Sequence, residues 1–233
     1  MTLTNFSPKV LEPVYQKSTE RRSRFTSSLS RRGTTEFFRD FDDFYIPTDT
    51  YTLNLFHSSL AISTARGIEV LTLDKKLPLS IPDTKAPHVS TIAARIKELK
   101  PLGMFRLSDS EFLLAYEECA VYVNKHGDVS RGVIMEFVGK AKAATVYGPY
   151  ILLFDSDFVE VRNAQNGRLR QVIAGRDVKC LDDGLGGNGN HAGVANAYGA
   201  EARGRTVKIS LQHPEHERTQ LVVELVINEG QKD

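Results

Sequence analysis

The chain has 233 residues, enough for one large domain or two small ones with a substantial core. Thirty Lys and Arg nearly cancel 29 Asp and Glu, so no global field draws in nucleic acid or an anionic membrane, and any such partner would need a local patch. No apolar run approaches the ~20 residues of a membrane span, and the start of the chain does not read as a secretory signal. The two cysteines, Cys119 and Cys180, lie inside apolar runs far apart in sequence, which reads as two buried thiols in a cytosolic protein rather than a disulfide.

Pro8–Tyr15 reads as one short strand. From Gln16 to Asp43 the composition turns to Arg, Ser and Thr, too poor in apolar surface to offset the entropy of ordering, and a basic flexible loop within the same domain is expected. Ser23 after Arg21-Arg22 and Thr34 after Arg31-Arg32 are candidate phosphorylation sites, since a phosphate there would neutralise the loop. The same arginines could instead touch anionic lipid, and a solvated loop is the plain alternative.

From Tyr51 the apolar period is two. Short strands are expected at Thr52–Phe56, Leu60–Thr64 and Ile68–Leu73, with a tight turn at Arg66-Gly67. Pro78 and Pro82 interrupt, and Val89–Leu99 has apolar residues at helical spacing. Strands resume at Leu102–Leu107, Glu111–Tyr116, Cys119–Asn124 and Val133–Val138, then at Ala143–Tyr147, Tyr150–Phe154, Phe158–Arg162 and Leu169–Ile173. Val178–Leu181, Thr206–Gln212 and Leu221–Ile227 complete the set, around a flexible Gly- and Asn-rich insertion at 183–205.

A repeat runs through these strands. Leu60-Ala61-Ile62 followed by Ile68-Glu69-Val70 has counterparts in Phe112-Leu113-Leu114 with Ala120-Val121-Tyr122, and in Ile151-Leu152-Leu153 with Val159-Glu160-Val161. A repeat of about 40–50 residues holding four short antiparallel strands marks a propeller blade. Stacked blades bury both faces of their strands, which explains why both faces here are rather apolar. A β-sandwich is the rival architecture.

The motifs that could carry chemistry each have a simpler reading. Gly184-Leu185-Gly186-Gly187-Asn188-Gly189 spells a dinucleotide fingerprint, but Asp182 and Asp183 precede it and no βαβ unit surrounds it. Asp155 and Asp157 flank Ser156 in a tight turn and Glu160 falls on the following strand, which reads as turn chemistry rather than a metal cluster. His213 and His216 are three apart, in a Pro-containing connection, and not at the i, i+4 spacing of a helical zinc site. No catalytic, cofactor-binding or metal residue is assigned.

The stretch from Phe112 to Gly127, FLLAYEECAVYVNKHG, resembles the central signature of the citron homology domain. Tyr147–Phe154, Phe158–Asn163 and Gly167–Ile173 resemble its next blade, and Ile46–Thr48 with Ala65–Leu71 fit the preceding one. The likeness covers roughly Phe44 to the end and is strongest to the domain at the C-terminus of fungal Rho-type guanine nucleotide exchange factors. It implies an all-β fold, with 44–233 forming about three to four blades of a seven-bladed ring plus one short inserted helix. It also implies a non-catalytic, cytoplasmic protein-interaction module, peripheral at the plasma membrane at most, whose partner is a Rho-type small GTPase or a polarity or cell-wall signalling component. The exchange modules themselves have no counterpart here, so no exchange activity is expected. Self-association through blade faces left bare by a partial ring is expected as well. An enzyme using loops on one propeller face, or a fragment without its own role, are the alternatives.

Overall fold

The computed structural model describes residues 9–13, 38–43, 46, 48–56, 58–85, 87–184 and 206–227. The chain divides into two compact units, Met1–Asp49 and Thr50–Asp233. In the first, β1 (Lys9–Pro13) pairs antiparallel with β2 (Phe38–Asp43). The irregular loop expected to run through Asp43 stops short of it, since Phe38–Asp43 is a strand. An isolated strand at Lys9–Pro13 would leave its backbone donors and acceptors unpaired, and β2 supplies that pairing. Residues 14–37, which include Ser23 and Thr34, lie outside the described residues.

The second unit consists of four antiparallel sheets arranged as propeller blades. Blade I holds β3 (Thr50–Leu55), β4 (Ser59–Thr64), β5 (Gly67–Thr72) and β6 (Pro78–Ile81). A 3₁₀ turn at Pro87–Val89 and helix α1 (Ser90–Ile96) lead to blade II: β7 (Pro101–Arg106), β8 (Glu111–Tyr116), β9 (Cys119–Asn124) and β10 (Val129–Glu136). Blade III is β11 (Ala143–Tyr147), β12 (Tyr150–Phe154), β13 (Phe158–Asn163) and β14 (Leu169–Ala174). Blade IV has three described strands, β15 (Lys179–Asp182), β16 (Val207–Gln212) and β17 (Gln220–Leu225).

The repeat read in the sequence is a repeat of register. Leu60 faces Leu71, Phe112 faces Val123 and Ile151 faces Arg162, so each triplet begins opposite the residue eleven positions on. Alternation then divides each central strand between two seams. Leu113 and Ala115 of β8 join Ile151 and Leu153 between blades II and III, while Leu114 and Tyr116 join Ala61 and Ile68 between blades I and II. Leu152 and Phe154 meet Val207 and Ile209 between blades III and IV. The core is therefore three seams between stacked blades.

Strand β7 lies against β3 and β4 on one side and β11 on the other. It is the inner strand of blade II and is buried along Pro101–Phe105. Thr52 Oγ1 donates to the Leu102 carbonyl at 3.0 Å, and the Met104 amide donates to Asn54 Oδ1 at 3.0 Å, so polar as well as apolar groups tie the first two blades.

Three elements differ from those expected. Pro78 was read as an interruption, and it opens β6; a proline fits there because it begins an edge strand, where one ladder donor is dispensable. Strand β10 begins at Val129, directly after the Lys125–Asp128 turn, and its register shifts between Val129 and Ile134. The helix expected to reach Leu99 ends at Ile96, where the Leu99 amide donates to the Ile96 carbonyl at 3.1 Å and tightens the last turn out of α-helical geometry. Gly127, in the β9–β10 turn at φ +90°, is required on two counts: a side chain would strain the backbone, and a Cβ would collide with Ile81 of blade I.

Candidate interaction site

The groups singled out in the sequence are engaged in local structure. Of the glycine-rich run only Gly184 is described; its amide donates to Asp182 Oδ1 at 3.0 Å, so a donor that could meet a phosphate is held by the chain's own carboxylate. Asp182 also pairs with Lys208 Nζ at 3.1 Å. Asp155 accepts from the Asp157 amide at 3.2 Å, which is turn chemistry, and from the Lys140 amide at 2.9 Å, which ties this turn to the β10–β11 connection. Nδ1 of His213 accepts from the amides of Glu215 and His216, both at 3.1 Å, and so closes its own loop. Among the described residues no three His, Cys, Asp or Glu are placed to hold a metal ion.

Glu160 differs from Asp155 and Asp157 in its burial. It is 1% exposed on β13, accepts from the Val138 amide at 2.9 Å, and forms an ion pair with Arg162, whose guanidinium also donates to the Gly167 carbonyl at 2.8 Å. A buried carboxylate thus anchors the connection from blade II to blade III. Cys119 is buried, and Cys180, expected to be buried too, is half-buried because β15 is an edge strand; burial pushes the first up to about 12 and the second up to about 11, whereas a nucleophilic cysteine needs the opposite shift.

A polar clamp that the sequence did not mark crosses from blade II to blade III. Arg131 of β10 donates through Nε to Glu111 Oε1 at 2.8 Å, engages the second carboxylate oxygen, and donates to the Gln165 carbonyl of blade III. Its guanidinium carbon lies 3.9 Å from the centre of the Tyr122 ring, and the Tyr122 hydroxyl donates to the Ala164 carbonyl at 3.0 Å. Hydrogen bonds from Arg131, and secondarily from Ser130, hold the Glu111 carboxyl below the ordinary carboxylate range. A lowered folded-state value means that this stability is present above the unfolded value and is lost as pH falls through the folded one. Replacing Arg131 by Leu should therefore flatten the acid limb of a stability-versus-pH curve. An unchanged acid limb would show that the pair contributes nothing.

The surface offers an exposed apolar stripe on blade I and scattered exposed apolar residues on blade IV, where Glu224 stands between Val222 and Val226. On blade IV, Cys180, Val223 and Leu225 turn toward blade III, and the alternate positions Leu181, Val222 and Val226 are 55%, 67% and 68% exposed. On the inner strand of blade I, Tyr51, Leu53 and Leu55 are exposed, with Lys100 Nζ 4.5 Å from the Tyr51 ring centre. Grouped apolar side chains of this kind are the raw material of protein–protein contact. Among the described residues no helix is long and apolar enough to cross a membrane.

The comparisons with known proteins agree with this geometry. The family model described as the CNH domain matches residues 8–184. Rho1 guanine nucleotide exchange factor 3 of Schizosaccharomyces pombe is 30% identical over 202 residues, covering 86% of this chain and 15% of that protein. Rho1 guanine nucleotide exchange factor 1 of the same organism is 30% identical over 206 residues, covering 87% of this chain and 15% of its own length. The chain thus spans about a seventh of these relatives. The solved AfRom2 CNH domain superposes with a TM-score of 0.63 at 23% identity, over 82% of this chain and 55% of that one, a likeness of fold. The chain belongs to the CNH domain family.

Proposed function

We propose that this chain is a non-catalytic protein-binding module in Rho-type small-GTPase signalling, acting in the cytoplasm or peripherally at the plasma membrane. The observation that carries the reading is the match of most of the chain to one segment of Rho1 exchange factors, a segment that is 15% of their length. The exposed stripe on blade I, and the engagement of Asp155, Glu160 and His213 in local structure, support binding over chemistry. The partner is a Rho-type GTPase or a protein of the same signalling apparatus.

The test uses the purified chain with a Rho1-type GTPase loaded with labelled GDP or a GTP analogue. The chain is expected to bind without accelerating nucleotide release. Release accelerated by the chain alone would overturn the non-catalytic reading. Absence of binding to either nucleotide form, and of capture of any other signalling component, would overturn the partner assignment.

A further inference from the structure

The seam between blades I and II stays open where α1 crosses it. The helix and the β5–β6 half of blade I leave a pocket of ≈ 490 Å³, within the size range of small-molecule sites. Its floor is apolar: Ile68, Ile81 and Ile96 line it and are 1%, 5% and 7% exposed. Ala93 contributes only a methyl group from the helix side and leaves the space free.

Two features distinguish the pocket from a packing gap. Tyr116, the last residue of β8, lines it and is 2% exposed, yet its hydroxyl makes no hydrogen bond with a described residue and is not a sealed atom. Burial raises this phenol above its ordinary range, so it remains a neutral donor. A phenol that is buried along its ring but open at its hydroxyl can donate to whatever occupies the pocket, water or ligand. The second feature is charge. Arg66 in the β4–β5 turn and Lys97 just beyond α1 both line the pocket and are exposed, and among the described residues neither side chain is paired with a carboxylate and no acidic residue lines the walls.

We propose that this pocket binds a small amphipathic acid: an apolar body on the isoleucine floor, a carboxylate at Arg66 and Lys97, and a second oxygen accepting from Tyr116. Apolar area supplies the affinity, the two cations select the sign of the head group, and the phenol selects ligands with an acceptor away from the carboxylate. This site goes beyond the Rho-signalling reading and stands or falls separately from it.

Calorimetric titration of the whole chain with 12-hydroxydodecanoate, dodecanoate and dodecylamine, all below their aggregation limits, tests the three elements. One saturable site is expected for the hydroxy acid, with severalfold weaker binding of the plain acid and at least tenfold weaker binding of the amine. Arg66→Ser with Lys97→Ser should cost tenfold or more for both acids and leave the amine unaffected. Tyr116→Phe should erase the preference for the hydroxy acid, and Ala93→Phe should abolish binding by filling the space. Since Ala93→Phe could unfold the seam, the exposed Arg66 and Lys97 variants keep the test decisive. Failure of the wild-type chain to bind either acid at millimolar concentration would overturn the proposal. So would binding indifferent to head-group charge and to Arg66 and Lys97, or a hydroxy-acid preference that survives Tyr116→Phe.

Discussion

Glu160→Ala is expected to lower the stability of the chain by about 3–5 kcal/mol, the range for breaking one side of a buried ion pair. The carboxylate is 1% exposed and has two kinds of dependent. Arg162, whose side chain is 14% exposed, would keep its bond to the Gly167 carbonyl but lose its counter-charge. The Val138 amide would lose its acceptor, and with it the tether of the β10–β11 connection to blade III. At about 2–4 °C per kcal/mol for a chain of this size, the melting temperature should fall by roughly 10 °C. Glu160→Gln retains an acceptor for Val138 and should cost less. The informative variant is the double one, Glu160→Met with Arg162→Leu, which replaces the pair by apolar groups of similar volume. It should recover most of the loss, because desolvating two charges offsets much of their attraction. A single Glu160→Ala change of under 1 kcal/mol would show that water enters this seam.

Much of the fold is written in the apolar period, and much of the candidate site is not. The triplets at Leu60, Phe112 and Ile151 could be aligned because each central strand must be apolar on both faces to serve two seams, which is a strong local signal. The outer strands carry a weaker one. Strand β6 is mostly exposed and starts with a proline, and β10 is half polar, so one was missed and the other shortened. Strand β2 was missed for another reason: its pairing with β1 spans an Arg- and Ser-rich segment, and nothing local reports a partner so far away. The clamp was not legible either, since Glu111 and Arg131 sit on strands separated by β9 and no cross-strand rule brings them together. Arg66, Lys97 and Tyr116 come from a turn, the end of a helix and the end of a strand. Only the stacking of blade I on blade II places them around one space. Glu160 illustrates the converse: the sequence places it on a strand apart from the Asp155–Asp157 turn, and the structure has Glu160 and Asp155 both accepting from amides of the β10–β11 connection, Val138 and Lys140, with only Glu160 buried.

The second large effect expected is at Leu114. It is completely buried, faces Met104 on β7 and Val121 on β9, and belongs to the seam that joins blade II to blade I and α1. Leu114→Ala removes packing that neighbouring strands cannot collapse to replace, and a cost of about 2–5 kcal/mol follows. Val172→Ala on the outer strand β14, where the side chain is 46% exposed, should change stability by about 0.5 kcal/mol or less. The location of the damage is more telling than its size. Stacked blades hold one another through nearest-neighbour seams, so weakening the first seam should loosen blade I and α1 before blade III. Hydrogen exchange on Leu114→Ala should therefore show protection lost first across β3–β6 and α1, with β11–β13 close to wild type. Leu153→Ala, in the seam between blades II and III, should shift the loss to the amides of those blades. If both substitutions instead lowered protection evenly over all four blades, the unit would unfold as one cooperative core. The blades would then be divisions of geometry without being units of stability.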